Sequence, residues 1–413
     1  MISEPNGSSL ADVSTDCVPL PLVHCSNVIK ECNADASDIN TRPDMRIRRG
    51  ILCYQLTNSI PALYAMTLSI HVLVNKYILT DLNFTFPTVY QGWQNAVKFV
   101  VLGVVAYCRA IDPQSSAGIA GIWWCLRFWQ SWAIIPFYSI TAYTGSVALS
   151  LTTIPTFLAF SSIPIVVRLC SVPWLTELDL KNYTANRAQK LLPKSETMLL
   201  IFLLCISAGL VALSESENAR TYIGSVTSGS NMGWIAIYCS SAIVHDVVDE
   251  LAFGNESLST DGNVVTIPTL SRLSRVYVCS LGSAVLFMPA TYLLGEAIEA
   301  YRSFPFFRVI SFNIGCVIAG ISGAALAIFE CYILLPRPNS ENMTVASSPN
   351  LSKNLKQYFS DLKVSAINVF AKLLTVLLSI PIFRRISQPM HVLWCILTIV
   401  LPYLALYCQK LAA

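Results

Sequence analysis

Two lysines lie where hydrocarbon should surround them. Lys98 sits mid-way along the apolar run Phe86 to Cys108, between Asn95 and Val101, and Lys372 lies about one third into the run Val364 to Phe383. A charge at bilayer depth costs from about 2.5 to more than 10 kcal/mol by different measures, so an embedded amine is a functional candidate. In a dry cavity such an amine attracts an anionic substrate strongly, because a low dielectric screens little. Ser365 and Asn368 precede Lys372 at spacings that share approximately one helical face, so a hydroxyl, an amide and an amine can line one wall. The competing reading for Lys98 and Lys372 is an internal salt bridge to Glu330, Glu296 or Asp246. Lys76, after Asn75 at the far end of the run Cys53 to Leu79, either snorkels to the interface or joins the same chemistry.

Other polar groups offer weaker chemistry. His245 and Asp249, at i and i+4 in His245-Asp246-Val247-Val248-Asp249-Glu250, have the spacing of a metal pair for an intramembrane hydrolase. The cluster occurs once, at the end of a run, and a polar helix end is its ordinary reading. His71 and His391 stand singly and read as satisfied or interfacial. No GxxxxGK[ST], GxSxG or paired CxxC occurs, so the signatures of nucleotide hydrolysis and serine hydrolysis are missing, and no cofactor is called for. Of the 14 cysteines most lie inside apolar runs, among them Cys205, Cys239, Cys279, Cys316 and Cys395, and act as small hydrophobes. Cys17, Cys25 and Cys32 lack the close pairing of a zinc knuckle.

The elements that must position these groups are membrane helices. The 413 residues are 54% hydrophobic and 12% charged, against about 25% charge in a soluble domain, and mean hydropathy is +0.57. The sequence therefore predicts an all-α, polytopic membrane protein. A bilayer core about 30 Å thick needs about 20 apolar residues per helix. Ten runs meet that length approximately: Cys53 to Leu79, Phe86 to Cys108, Phe128 to Ala148, Thr152 to Val172, Thr197 to Leu213, Met232 to Val248, Ser274 to Leu294, Phe306 to Leu335, Val364 to Phe383 and Met390 to Cys408. Residues 1–50 read as a disordered cytosolic tail and 51–409 as a ten-helix domain. That domain divides into halves 51–214 and 230–409, with 336–362 a mobile cytosolic loop. A five-plus-five inverted repeat is a common transporter plan.

Charge placement sets the orientation. Eighteen Lys and Arg fall in segments on the side of the N-terminal tail and five (Arg220, Arg302, Arg308, Arg384, Arg385) on the other, which puts both termini in the cytosol. Of the six glycosylation sequons only Asn83 falls on the far side. The net charge of +3 gives no argument for nucleic acid. Gly315, Ala319, Gly323 and Ala327 form a small-residue stripe that admits a close helix neighbour.

Several stretches resemble the nucleotide-sugar transporter and triose-phosphate translocator branch of the drug/metabolite transporter superfamily. Val74-Asn75-Lys76-Tyr77-Ile78-Leu79, followed by Asn83-Phe84-Thr85-Phe86-Pro87, is similar to the end of that family's first helix and the opening of its second. Ala142 to Leu149, Tyr277 through Pro289 to Glu296, and Ser365 to Phe383 resemble the approach to helix four, helix seven, and helix nine with its lysine. The likeness covers nearly all of Ile51 to Gln409. It implies ten helices around a cavity open alternately to either side, and a secondary-active antiporter. The cargo would be a phosphorylated anionic solute, a nucleotide sugar or a sugar phosphate, exchanged for nucleotide monophosphate or phosphate. Lys372 would meet the phosphate, with Asn368 and Ser365 on its helix and Tyr277 facing them; Lys98, Gln94, Tyr143 and Lys76 complete the substrate-binding set. Family carriers often have adjacent asparagines after the helix-seven tyrosine and one directly before the helix-nine lysine; in this chain these are Val278-Cys279 and Ala371. The expected location is a Golgi or ER membrane, with a plastid membrane the alternative. Expected partners are the phosphorylated solute, membrane lipid and, as an open option, a second copy in a homodimer. The alternatives on other chemistry are a carrier of cationic or neutral solutes on the same fold, and the metal enzyme at His245 and Asp249.

Overall fold

A computed structural model describes residues 43–110, 129–167, 195–223, 228–253, 272–303, 310–334, 349–383 and 388–412. Most of the tail, and part of the 336–362 loop, lie outside the described residues. Met1–Asn58 and Ser59–Ala413 are separate compact units, and the pockets and polar clusters all belong to the second.

Among the described residues the secondary structure is entirely helical. The helices are α1 (Pro43–Lys76), α2 (Pro87–Ala110), α3 (Trp129–Leu151), α4 (Ile154–Phe160), α5 (Ser195–Ile223), α6 (Ser228–Phe253), α7 (Arg272–Leu293), α8 (Glu296–Ser303), α9 (Ile310–Leu334), α10 (Pro349–Phe383) and α11 (Pro389–Ala412), with a π turn Tyr77–Asp81 after α1. Seven helical segments among the described residues are long and apolar enough to cross a membrane: Ser59–Asp81, Trp132–Leu151, Ser195–Ser216, Arg275–Leu293, Phe312–Glu330, Val364–Phe383 and Pro389–Cys408. Each of the other three runs marked in the sequence also contains a helix. α2 is long but carries Gln91, Gln94, Asn95 and Lys98, and α6 ends in the charged His245 to Glu250 stretch. The fourth run is broken: Pro155 opens α4 and the helix turns out at Ser161, leaving a shorter apolar piece, Ile154–Val167. A proline at the start of a helix removes no needed donor, which is why Thr152-Thr153 serves as the joint.

Two helices begin earlier than the apolar runs. α1 starts at Pro43, inside the expected tail, and α10 starts at Pro349, inside the expected loop. In both cases the leading turns are polar, so hydropathy alone does not find them.

Large apolar side chains point outward along the bundle, among them Met288 at 77% exposure, Leu293 at 83% and Ile310 at 73%. An aqueous surface would penalise such a belt, and hydrocarbon accepts it. Within, α2 packs against α7 and α9, α3 against α6 and α7, and α5 against α11. The small-residue stripe of α9 is used for close approach. A Cβ on Gly315 would lie 3.1 Å from Ile78, and one on Gly323 would lie 3.3 Å from the His71 ring and 3.8 Å from Lys98 Cδ. The tightest approaches lie beside the stripe or elsewhere: a Cβ on Gly320 would fall 2.6 Å from Val97, and one on Gly282 2.4 Å from Ile135.

One apolar cluster joins helices from the two ends of the chain. Val72, Leu149, Ile154, Leu158, Val376 and Ile399 pack together across α1, α3, α4, α10 and α11. Beside it Ser69 Oγ and Thr375 Oγ1 share a hydrogen bond of 2.9 Å between α1 and α10.

Candidate functional site

The groups nominated from the sequence separate into three places. The first surrounds Lys372, which is 7% exposed. Its amine donates to Ser162 Oγ at 2.8 Å. Ser162, Ile165, Ser365, Asn368, Val369, Lys372, Ile399, Pro402, Tyr403 and Leu406 line one narrow pocket between α10, α11 and the segment after α4. Ser365, Asn368 and Lys372 thus form one wall, since positions i, i+3 and i+7 of a helix share a face. Ser162 and Tyr403 come from other helices and were not nominated.

The second place is a polar cluster between α1, α2 and α9. His71 Nδ1 contacts Ser322 Oγ at 3.0 Å and the Ala319 carbonyl at 3.2 Å. Asn75 reaches His71 Nε2 at 3.2 Å, Tyr90 donates to Asn75 Oδ1, and Gln94 donates to the same oxygen at 3.3 Å and to the Ala319 carbonyl at 3.4 Å. Lys98, half-buried, donates to Tyr138 Oη at 2.8 Å and lies 5.4 Å from that ring's centre. Gly323, without a side chain, leaves the space that brings His71 and Lys98 beside each other. His71, read as satisfied or interfacial, has both ring nitrogens partnered; Asn75, Tyr90 and Tyr138 were not nominated, although Gln91, Gln94, Asn95 and Lys98 repeat at helical spacing and mark a polar face of α2.

The third place belongs to Lys76. At 4% exposure it does not snorkel. Its amine donates to the carbonyls of Leu149, Ser150 and Thr152 at 2.7, 3.2 and 2.7 Å, where α3 ends and its last carbonyls have no helical partners. Lys76, Thr80, Asp81, Thr153, Ile154, Pro155, Ser379, Ile380 and Phe383 line a second, larger pocket, at the opposite end of the apolar segment Val364–Phe383 from Ser365. Between the two pockets lies the apolar cluster of Val72, Leu158 and Val376.

The remaining nominees go elsewhere. The Tyr277 ring packs at 4.9 Å on Phe99 and against Gly103, on α2, and is absent from the wall of the Lys372 pocket. Tyr143 makes an edge contact with Trp234 at 6.3 Å.

The salt bridges considered for Lys98 and Lys372 are not formed: among the described residues no carboxylate lies in ion-pair range of either amine. Glu330 accepts from Tyr64 at 3.4 Å, Glu296 accepts the Thr88 amide at 3.1 Å, and Asp246 lies 3.5 Å from His245. Asp249 takes the Arg275 guanidinium at 3.0 and 3.1 Å. Among the described residues no three His, Cys, Asp or Glu side chains gather as a metal would need.

No family model matches the chain. A Xenopus laevis protein described as a UDP-N-acetylglucosamine transporter TMEM241 homolog is 26% identical over 257 residues, 62% of this chain and 71% of the relative. That relative is a transporter. Its alignment with more than half of this chain, on top of seven apolar helices and two pockets at opposite ends of one of them, places the site in a multi-pass membrane protein.

Proposed function

We propose that this chain is a secondary-active antiporter that moves a nucleotide sugar across a Golgi or ER membrane in exchange for a nucleotide monophosphate. The observation that carries the reading is Lys372: a buried amine that has, among the described residues, one hydroxyl partner and no carboxylate, facing a pocket edged by Ser365, Asn368 and Tyr403. An ammonium has three donors. A phosphate supplies the acceptors and the negative charge that this one lacks, at the depth where both count most. Asn368, Ser365 and Tyr403 are left to orient the sugar or the base.

The relative described for UDP-N-acetylglucosamine makes a UDP-sugar the first cargo to test. The close pairing of α2 with α7 and of α5 with α11 fits a five-plus-five plan, in which the second and seventh spans, and the fifth and tenth, are equivalent partners. The distribution of basic residues favours cytosolic termini, so the Lys372 pocket faces the cytosol and the Lys76 pocket the lumen. The apolar cluster around Val72, Leu158 and Val376 is then the barrier that cargo must cross as the helices rock. With Asp249 held by Arg275, nothing favours metal-dependent catalysis over carriage.

Liposomes holding the full chain and preloaded with uridine monophosphate are expected to accumulate labelled UDP-N-acetylglucosamine, and Lys372→Ala to abolish that uptake. No exchange with any phosphorylated solute in a panel overturns the reading. Uptake of cationic or neutral compounds in its place moves the cargo to the other class.

A further inference from the structure

At the wall of the Lys76 pocket, three helix ends meet around two titratable groups that the carrier reading does not use. Glu215, 8% exposed, lies near the end of α5, and His391, fully buried, opens α11. His391 Nε2 lies 3.4 Å from Glu215 Oε2. The carboxylate also accepts from the entry to α4: Thr153 N donates to Oε1 at 3.1 Å, and Thr153 Oγ1 and Thr156 Oγ1 lie 3.1 and 2.9 Å from Oε2. Thr153, Ile154 and Pro155 line the pocket itself. A carboxylate and an imidazole therefore tie α4, α5 and α11 together at the end of the bundle where the pocket opens.

The protons of this network can be counted. Ser214 Oγ lies 3.0 Å from the Val211 carbonyl and 2.6 Å from His391 Nδ1, so the serine either accepts from Nδ1 or donates to it. The neutral ring then carries its one proton on Nδ1 or on Nε2. Thr156 Oγ1 lies 3.0 Å from Nε2 as well as 2.9 Å from Glu215, and a hydroxyl has one proton to give. With the ring's proton on Nδ1, Thr156 donates either to Nε2 or to the carboxylate; with it on Nε2, the ring itself donates to Glu215 across 3.4 Å. In each arrangement a buried negative charge stands without a cation among the described residues. With both ring nitrogens protonated, the ring donates to Glu215, Thr156 donates to the same carboxylate, and the pair is neutral overall. An uncompensated buried charge is strongly unfavourable, so the tie holds best when that second proton is present.

Among the described residues the surroundings supply no substitute: the titratable neighbours are Cys395, whose sulfur lies 3.6 Å from Nε2 on the same helix, and Lys76 and Asp81 across the pocket. The Lys76 amine is already spread over three carbonyls, one of them Thr152 O, immediately before Thr153. Of the titratable groups on α10, Lys372 is bonded to Ser162 at the other pocket.

We propose that Glu215 and His391 form a binding site for a single proton that clamps α4, α5 and α11 at the wall of the Lys76 pocket, and that cargo passage through that pocket follows the proton's occupancy. The second clause rests on the carrier reading; the first does not. Deprotonation loosens the clamp and frees the pocket wall to move.

The test has two readouts on the purified full chain. Without cargo, the melting temperature is followed across the range in which histidine titrates, about pH 5 to 8. The wild-type value is expected to fall by roughly 2–4 °C as pH rises. In Glu215→Gln the amide N–H permanently occupies the place of the proton, and the profile is expected to be flat over that range; His391→Gln, which donates to Glu215 at every pH, is the second variant should the first fold poorly. A wild-type profile with no such fall, or the same fall in both variants, overturns the proton site. In liposomes at clamped voltage, an imposed pH gradient is expected to change nucleotide-sugar exchange by about fivefold or more in wild type and not in Glu215→Gln. Exchange indifferent to the gradient in wild type overturns the coupling. A titrating clamp in a chain that exchanges no phosphorylated solute sustains the proton site and removes the carrier reading instead.

Discussion

Lys76 and Lys372 are almost equally buried, 4% and 7% exposed, and are opposite in kind. The Lys76 ammonium meets three backbone carbonyls at the end of α3, so the protein satisfies all three of its donors. Lys372 meets one serine hydroxyl. Depth alone therefore does not mark a functional lysine; what marks it is the number of acceptors the fold leaves unsupplied. Lys76 holds a helix end to the turn after α1. In the proposed carrier, Lys372 holds a position open for a charge that arrives from outside. Lys98 stands between them, with a phenol oxygen and the face of the same ring.

The most severe way to break this comparison is to remove each amine and ask which function is lost. Lys372→Met is expected to reduce nucleotide-sugar uptake by more than about a hundredfold, on the order of 3 kcal/mol, while the melting temperature holds or rises, because a buried amine gives way to an apolar side chain of similar length. Ser162→Asp should do the same by another route, supplying the carboxylate that the pocket lacks and neutralising the amine. A large loss of melting temperature in Lys372→Met would make it another Lys76.

Lys76→Met is expected to behave in reverse. It leaves the carbonyls of Leu149, Ser150 and Thr152 without their donor, at a stability loss on the order of 3 kcal/mol read as a fall in melting temperature. Uptake per folded molecule should then drop far less than for Lys372→Met. Equal loss of uptake at unchanged stability would return Lys76 to the substrate.

The sequence carried part of this distinction. The apolar runs announce the helices, and the spacing of Ser365, Asn368 and Lys372 announces one wall of a pocket. The thiols read as small hydrophobes are buried at Cys239, Cys279, Cys316 and Cys395. The fate of Lys76 could not be read, because its acceptors lie 73 to 76 residues further along the chain and are main-chain oxygens, which no side-chain pattern displays. Ser162 and Glu215 escaped for a related reason: each is an ordinary residue until folding sets it against a partner about 60 to 210 positions away. Tyr277, chosen by resemblance, packs on Phe99 instead. The asparagine missing before Lys372 is Ala371, buried against Tyr64 and Ala65, where an amide would need a partner that apolar packing does not offer.

Lys98 tests the middle of the scale. With one oxygen partner and half exposure, it is expected to yield an intermediate result: Lys98→Met should lower uptake by about tenfold with little change in melting temperature, and Lys98→Arg should recover part of it, since the charge survives and the phenol remains in reach. A Met variant that loses nothing would leave the polar cluster of His71, Asn75 and Gln94 as packing, and Lys372 as the sole amine that meets cargo.

The smallest change is the most discriminating. Ser162→Ala removes the one acceptor that Lys372 has among the described residues while keeping the charge, the pocket and the helices. If the Lys372 amine served the fold, as the Lys76 amine does, the loss of its partner would strand a buried charge and lower stability by several kcal/mol. If the amine faces a wet pocket and a visiting phosphate, water takes the vacated place, stability changes by less than about 1 kcal/mol, and uptake falls only a few-fold, through weaker binding at low cargo concentration. Saturating cargo should then restore the wild-type rate, because the phosphate itself supplies the acceptors that the serine gave up.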